Sequence, residues 1–180
     1  MKILVATEKP FAKKAVDGIR QIVEGAGYEL ALLEKYTDKS ELLSAVADVD
    51  ALIIRSDKVT AEVIEAARNL KIVVRAGAGY DNVDLAAATA RGIVVMNTPG
   101  QNSNAVAELA LAMMIFMARN GFTPGTGSEI QGKTLGIHAY GNVGRLVGRK
   151  GKAMGMNVIA YDPFITDSAV FEADGVKKVN

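Results

Sequence analysis

The sequence predicts an α/β protein built on parallel strands, and three observations lead to that fold class. Short apolar, β-branched runs alternate with longer helical patterns along the chain. The strand runs are mostly apolar rather than alternating, which is typical of parallel strands that are covered on both faces. The pattern restarts after a glycine-rich stretch, so we expect two successive α/β units.

The first unit is predicted to hold five strands joined by four helices. We expect strands at residues 2–6, 29–33, 51–54, 72–75 and 93–96, and helices at 12–25, 40–46, 61–68 and 85–90. Gly27 and Gly92 follow two of these helices and are predicted to end them. Strands and helices in this order form a doubly wound sheet with right-handed crossovers.

The second unit is predicted to begin with a long helix at residues 104–119, with Asn102 or Ser103 as its cap. Residues 120–129 are rich in Gly, Thr, Ser and Pro, a composition typical of a hinge or inter-domain connector. A strand at 134–138, a helix at 142–154 and a strand at 157–161 follow. Because two parallel strands cannot cover both of their faces, we expect this unit to be incomplete.

Composition excludes several classes of function. Of 180 residues 49% are hydrophobic and 23% charged, as in globular proteins, and the net charge of +1 gives no field to attract nucleic acid or a membrane surface. There is no cysteine and one histidine, so we expect no disulfide, thiolate or metal site. The absence of cysteine suits a cytoplasmic protein.

Cationic and glycine residues follow the predicted strands of the first unit. Arg55 and Lys58 come after the third strand, and Arg75, Gly77 and Gly79 after the fourth. Ligands bind at the carboxyl ends of parallel strands, where arginine can grip a carboxylate or phosphate and glycine allows close approach to the backbone. These residues indicate a small anionic substrate; alternatively, the arginines merely end their strands and pair with surface carboxylates.

The stretch LGIHAYGNVG, residues 135–144, has the strand–turn–helix setting of a dinucleotide-binding turn. Gly141 would let the turn approach a pyrophosphate, and Gly144 would allow tight helix–strand packing. Asp162 follows Gly144 by 18 residues, close to the spacing of the acid that binds the ribose hydroxyls. No basic residue follows Asp162 directly, which favours NAD over NADP. The alternative is a chance cluster of glycines.

Ala139 stands where this fingerprint normally has its first glycine. Alanine costs little at this position if its φ stays negative. Because Gly141 and Gly144 are also intact, we expect the binding geometry to survive. His138, just before it, is interpreted as an ordinary strand histidine.

Other side chains of the second unit have structural interpretations. Gly148 and Gly151 should each weaken the predicted helix by up to about 1 kcal/mol, with no evident reason for their presence. The basic residues of that helix are interpreted as a solvated face: Arg145, Arg149, Lys150 and Lys152. The methionines of the preceding helix are interpreted as core or interface packing: Met113, Met114 and Met117.

Three strings together resemble the NAD-dependent D-2-hydroxyacid dehydrogenases: RSDKV from Arg55, RAGAGYDNVD from Arg75 and NTPGQNSNAVAE from Asn97. The resemblance implies a flavodoxin-like parallel-sheet substrate domain at residues 1–100. It also implies, at 101–180, the first part of a Rossmann-type dinucleotide-binding domain. The implied activity is oxidation of a small anionic 2-hydroxy acid, phosphorylated in the most similar subgroup, with NAD as cofactor and a homodimer as the assembly.

The resemblance also assigns roles to individual residues. It implies substrate contacts at Arg55, Ser56, Lys58, Arg75, Gly77, Gly79 and Asn102. It implies cofactor contacts at Gly141, Asn142, Val143, Gly144 and Asp162. The catalytic arginine, acid and histidine (or lysine) of such enzymes would all lie beyond Asn180, so we expect no catalytic residue here and no activity from this chain alone.

Two alternatives remain open at this point. One is a dehydrogenase of the same family that acts on glycerate, lactate or glyoxylate. The other is a non-catalytic, nucleotide-sensing module built on the same fold.

Overall fold

The computed structural model describes all 180 residues, which divide into two compact units, Met1–Pro99 and Gly100–Asn180. The strands of the first unit are β1 (Lys2–Thr7), β2 (Glu29–Glu34), β3 (Ala51–Ile54), β4 (Ile72–Arg75) and β5 (Val94–Met96). Its helices are α1 (Lys13–Gly25), α2 (Lys39–Ala45), α3 (Ala61–Ala66) and α4 (Leu85–Ala90). Every predicted strand and helix of this unit is present, with ends that shift by two residues at most.

The five strands form one parallel sheet in the order β2-β1-β3-β4-β5. The parallel α/β fold class is therefore confirmed. Strand β1 is covered on both faces, since the consecutive residues Val5 and Ala6 are fully buried, and Leu52 of β3 and Val73 of β4 are fully buried as well. This burial explains why their sequences read as continuous apolar runs.

Local signals set the ends of several helices. Gly27 and Gly92 follow α1 and α4 with φ of +76° and +66°, a conformation that glycine adopts without steric cost. Helix α2 begins with a capping box. The Asp38 side chain accepts from backbone N–H groups of the first turn, and the Glu41 side chain accepts from the Asp38 N–H. The predicted helix stops are thus confirmed.

The second unit contains α5 (Ser103–Ala118), β6 (Thr134–His138), α6 (Asn142–Ala153), β7 (Asn157–Tyr161), α7 (Ala169–Glu172) and β8 (Lys177–Lys178). Its three strands form a parallel sheet in the order β6-β7-β8. The expectation of only two strands here was wrong. A two-residue strand after a four-residue helix is too short to produce a periodic sequence pattern.

The glycine-rich stretch after α5 lies inside the second unit and does not join two units, so its interpretation as an inter-domain connector was wrong. It begins with a 3₁₀ turn at Asn120–Phe122, and the Ser128 N–H donates back to the Ala118 carbonyl. Its composition is that of a surface loop, and such composition does not distinguish loops within a unit from loops between units.

Helix α5 has a broadly exposed apolar surface. Met113 and Met117 are 59% and 72% exposed, so neither packs in a core, and the core interpretation of these two residues was wrong. The periodic apolar pattern marks a hydrophobic helix without identifying what covers it. No helix in the structure combines the length and apolar character needed to cross a bilayer.

Candidate functional site

The loop after β3 is held by a buried carboxylate that joins three strand ends. Asp57 is 4% exposed, and its Oδ1 accepts from the Glu8 N–H and the Tyr36 O–H, each at 2.8 Å. Its Oδ2 accepts from the Arg55 N–H at 3.3 Å. Because these donors follow β1, β2 and β3, Asp57 fixes the backbone of the loop against the carboxyl edge of the sheet.

A second polar side chain holds the same loop from the β4 side. The Asn82 amide donates to the Asp57 carbonyl at 2.7 Å, and the Asn82 carbonyl accepts from the Val59 N–H at 2.8 Å. The side chains of Arg55, Ser56 and Lys58 are exposed on this anchored loop. A rigid backbone thus presents two cations and a hydroxyl to solvent.

Arg75 ends β4 and lies beside β3, in register with Ile54. Its guanidinium occupies the space that a side chain at Gly77 would fill. The lack of a side chain at Gly77 therefore makes room for Arg75. The Arg75 Nε is buried without a hydrogen-bond partner, an arrangement that leaves the group short of an acceptor.

The loop from Ala76 to Gly79 is fixed by its neighbours in the sheet. The Ala76 N–H donates to the Ile54 carbonyl at 2.8 Å, and the Asn97 amide donates to the Ala78 carbonyl at 2.6 Å. Gly79 is exposed, and the nearest atom to a side chain placed there is Asp81 Oδ1 at 3.0 Å. Gly79 therefore offers an accessible backbone beside an acidic side chain.

Two cavities adjoin the β3 loop on opposite sides. One of about 460 Å³ is lined by Tyr36 and Lys39, and one of about 540 Å³ by Asp81 and Asn82; Ser56 and Lys58 line both. The other predicted substrate residues of this unit, Arg55, Arg75, Gly77 and Gly79, line neither cavity. The structure thus places Ser56 and Lys58 together at the two cavities, and it places the Arg75 guanidinium beside Gly77.

Asn102 belongs to the second unit, where it is the N-cap residue of α5. Its side chain makes no capping hydrogen bond, and its carbonyl accepts from the Val106 N–H at 3.1 Å. The exposed Asn102 amide is therefore unused by the helix that it precedes.

The turn between β6 and α6 has an unexpected backbone conformation at its first position. Ala139 has φ of +78°, so the condition under which alanine would cost little is not met. Its N–H donates to the Tyr161 carbonyl at 2.8 Å, which continues the pairing of β6 with β7 into the turn. The tight reversal needs a left-handed residue at this point, and alanine takes that conformation at a steric cost that glycine would avoid.

The start of α6 has the features that a pyrophosphate requires. No side chain caps its first turn, which leaves the N–H groups of Asn142, Val143 and Gly144 without helical partners. A side chain at Gly141 would meet no protein atom within 4 Å, so the space in front of these donors is open. Open space beside unpaired N–H groups at the positive end of a helix fits an anionic phosphate group.

Glycines on one face of α6 allow the helix to approach the sheet closely. A Cβ at Gly144 would overlap the Ala139 carbonyl oxygen, as predicted for a glycine of tight helix–strand packing. A Cβ at Gly148 would lie 3.0 Å from the Tyr140 hydroxyl, and one at Gly151 would lie 2.9 Å from Leu135 Cδ2. The two unexplained glycines of the helix thus have a packing role.

Asp162 directly follows β7 and is 8% exposed. Its Oδ2 accepts from the Tyr140 N–H at 2.7 Å, and its Oδ1 accepts from the Phe164 N–H at 2.8 Å and the Ile165 N–H at 3.3 Å. These hydrogen bonds, that of Phe164 first, hold the pKa of Asp162 below its usual range. The carboxylate is therefore charged, and it also supports the turn that it was predicted to serve.

Two arginines of α6 share one carboxylate. Arg145 Nε lies 3.0 Å from Asp174 Oδ2, and Arg149 Nε lies 2.6 Å from Asp174 Oδ1. The Asp174 side chain is only 3% exposed. Arg149 lies on an exposed face of α6, as interpreted, but both arginines also bind a buried carboxylate, which the interpretation as a solvated face did not include.

Sequence reasoning missed the residues that hold the site loops in place. Asp57 and Asn82 fix the loop after β3. Tyr140 and Asp174 are joined by a hydrogen bond next to the turn between β6 and α6. In the sequence, Asp57 lies between the predicted substrate residues Ser56 and Lys58, and Tyr140 lies between Ala139 and Gly141. This position was the only sequence feature that could have pointed to their roles. The Tyr36 hydroxyl that binds Asp57 lies 21 residues away along the chain, and the Asp174 carboxylate that binds Tyr140 lies 34 away.

Comparison with known proteins gives a family model that matches residues 4–174, described as D-isomer specific 2-hydroxyacid dehydrogenase, catalytic domain. A D-3-phosphoglycerate dehydrogenase of Archaeoglobus fulgidus is 42% identical, across 100% of this chain and 35% of the relative. A hydroxypyruvate reductase of Thermotoga maritima is 43% identical, across 75% of this chain and 49% of the relative.

A solved structure shows a similar fold. The NAD⁺-bound 3-phosphoglycerate dehydrogenase of Entamoeba histolytica superimposes with a TM-score of 0.88 at 48% identity, over 100% of this chain and 62% of that one. The chain therefore spans between about a third and three fifths of the length of these relatives.

Proposed function

Because the chain belongs to the D-isomer specific 2-hydroxyacid dehydrogenases, we propose that the protein carrying it oxidises D-3-phosphoglycerate to 3-phosphohydroxypyruvate, a reaction of serine biosynthesis. The proposal for the substrate is carried by the anchored cationic loop after β3, in a chain 48% identical to a 3-phosphoglycerate dehydrogenase. A phosphorylated hydroxy acid carries two anionic groups, and the first unit offers Arg55, Lys58 and Arg75 to bind them.

The cofactor proposed for this protein is NAD. The fit rests on the open space at Gly141, the unpaired N–H groups of Asn142 and Val143, and the charged Asp162 at the end of β7. When bound, NAD would accept the hydride from substrate C2. The residues of this chain would hold its phosphates, while the Asp162 charge would disfavour a 2′-phosphate.

In the first unit, the proposed role is substrate binding by Arg55, Ser56, Lys58, Arg75 and the Gly79 backbone. Arg75 ends β4 at the carboxyl edge of the sheet, where its guanidinium would bind a substrate carboxylate or phosphate. Gly77 contributes by leaving room for the Arg75 guanidinium. In the second unit, the proposed substrate contact is the exposed amide of Asn102.

The test is a steady-state assay of the protein as its gene encodes it, with D-3-phosphoglycerate and NAD. Arg55→Ala should raise KM for the substrate by roughly tenfold or more, the range expected for loss of a charge-assisted contact of about 1.5–3 kcal/mol. Arg68→Ala is the matched control, since Arg68 is an exposed arginine of the same unit outside the proposed site. Equal KM in both variants would contradict the proposed role of Arg55.

A second candidate function is reduction of hydroxypyruvate, favoured by the similarity to the Thermotoga maritima enzyme. Reduction of hydroxypyruvate gives D-glycerate, which differs from D-3-phosphoglycerate only by the phosphate. The comparison of kcat/KM for D-3-phosphoglycerate and for D-glycerate therefore decides between the two candidates. A higher value for D-glycerate would establish the second candidate.

The proposed function also includes assembly as a homodimer. Its test is the mass of the protein in solution, measured by light scattering.

A further inference from the structure

Tyr140 is a fully buried tyrosine inside the turn proposed to bind the cofactor. It stands between the left-handed Ala139 and the open Gly141. Its ring is stacked on Phe171, with centroids 4.7 Å apart and an interplanar angle of 17°. Phe171 belongs to α7 and is itself fully buried. The side chain therefore points into the core of the second unit, away from the space where a ligand would lie.

Both polar ends of Tyr140 are engaged. Its N–H donates to Asp162 Oδ2 at 2.7 Å, and its O–H donates to Asp174 Oδ2 at 3.0 Å. Burial first, and then the hydrogen bond to Asp174, raise the pKa of Tyr140 to about 12. The phenol is therefore protonated at neutral pH and donates this hydrogen bond. One residue thus connects two carboxylates on either side of the turn.

Asp174 in turn connects the phenol to the helix that follows the turn. Burial alone would raise the pKa of Asp174, but hydrogen bonds from Arg145, Arg149 and Tyr140 outweigh it and hold that pKa below its usual range. Because Arg145 and Arg149 lie one turn apart on α6, their shared carboxylate fixes the first half of the helix relative to the Tyr140 ring.

The helix also provides the space that the ring needs. A Cβ at Gly148 would lie 3.0 Å from the Tyr140 hydroxyl and 3.1 Å from its Cε2. A tyrosine at 140 and a glycine at 148 therefore fit one another. The phenol lies against α6 at Gly148, and no side chain caps the N–H groups at the start of that helix.

We propose that Tyr140 is a positioning residue for the dinucleotide turn, which it holds through its hydroxyl. The hydrogen bond to Asp174, with the stacking on Phe171, keeps Ala139 in its left-handed conformation and the N–H groups of Asn142 and Val143 aimed at the pyrophosphate. The hydroxyl compensates for the alanine that replaces a glycine at the first position. This inference rests on the proposed NAD-binding function.

The test uses Tyr140→Phe, which keeps the ring and removes only the hydroxyl. NAD affinity is measured by isothermal titration calorimetry on the folded protein, well below its unfolding temperature. We expect Kd for NAD to rise about tenfold in Tyr140→Phe and to be unchanged in Tyr28→Phe, a control at an exposed tyrosine of the first unit. Asp174→Asn, which removes the charge that binds Arg145 and Arg149, should raise Kd in the same direction.

A rescue variant separates positioning from a merely structural effect. In Ala139→Gly/Tyr140→Phe, glycine adopts the left-handed conformation without help, so Kd for NAD should return to within about twofold of the wild-type value. A Tyr140→Phe protein that melts earlier but binds NAD as tightly as wild type would overturn the inference and leave the proposed function standing. A wild-type protein that does not bind NAD would overturn both.

Discussion

At the scale of single residues, the second unit depends on a few side chains that satisfy unusual backbone positions. Ala139 adopts φ of +78°, a conformation that costs an L-residue roughly 1–2 kcal/mol. The neighbouring Tyr140 N–H and Phe164 N–H both donate to Asp162. A carboxylate that sequence reasoning assigns to a ligand thus also stabilises the protein.

Ala139→Gly should stabilise the protein by about 1 kcal/mol, because it removes the steric cost of the left-handed conformation. The free energy of unfolding is measured by urea denaturation. Ala112→Gly is the control, since Ala112 is an exposed residue within α5, and it should destabilise by about 1 kcal/mol. A loss of stability in both variants would show that Ala139 is not strained.

The buried phenol of Tyr140 predicts a loss of stability at alkaline pH. Its pKa is raised to about 12 in the folded protein, above the value of about 10 in an unfolded chain. The stabilising contribution is therefore complete below pH of about 10 and is lost as the pH rises toward 12. Urea unfolding at a series of pH values should show a smaller decline in Tyr140→Phe than in wild type; equal declines would contradict the prediction.

At the scale of elements, α6 is a helix whose packing face is made of glycines. Gly144, Gly148 and Gly151 are spaced by four and three residues, so they share one face of the helix. Glycine weakens a helix by up to about 1 kcal/mol at each position. The compensation is a close approach to β6 that brings the unpaired N–H groups of the helix beside the turn.

Gly144→Ala should destabilise the protein by about 1–3 kcal/mol or more, because the added Cβ would overlap the backbone carbonyl of Ala139. Gly18→Ala is the matched control within α1, where an added Cβ meets no atom within 4 Å. That change should stabilise by about 0.5–1 kcal/mol through helix propensity alone. Thermal and urea unfolding measure both, and stabilisation by both would refute the close packing of α6.

At the scale of the whole molecule, the two units have cores of different size. The first unit has a core of 17 buried residues beneath a five-stranded sheet, and the second has six around a three-stranded sheet. Since apolar burial is the dominant favourable term in folding, the first unit has the means to fold alone.

A polypeptide of residues 1–99 should therefore unfold cooperatively in urea, with a circular dichroism spectrum of mixed helix and strand. Leu52→Ala in that polypeptide should destabilise it by about 2–5 kcal/mol, because Leu52 is fully buried in β3. Lys71→Ala, a change at an exposed side chain, serves as the control. Non-cooperative unfolding of residues 1–99 would show that the first core is not sufficient.

The sequence predicted the strands well because a parallel strand covered on both faces must be apolar along its whole length. It predicted the close packing at Gly144 because a glycine in a strand–turn–helix setting has few other uses. It failed at β8, whose two residues carry no periodic pattern, and at the loop of residues 120–129, whose composition is shared by all surface loops.

The sequence by itself determined the fold class, the family and the order of the elements, since these depend on the pattern of nearby residues. Only the tertiary structure decided what supports the turn in LGIHAYGNVG. The left-handed Ala139, the phenol bound to Asp174 and the glycine face of α6 result from contacts between residues far apart in the chain. Such contacts depend on how helices and strands pack against one another, and the spacing of residues along the sequence does not predict that packing.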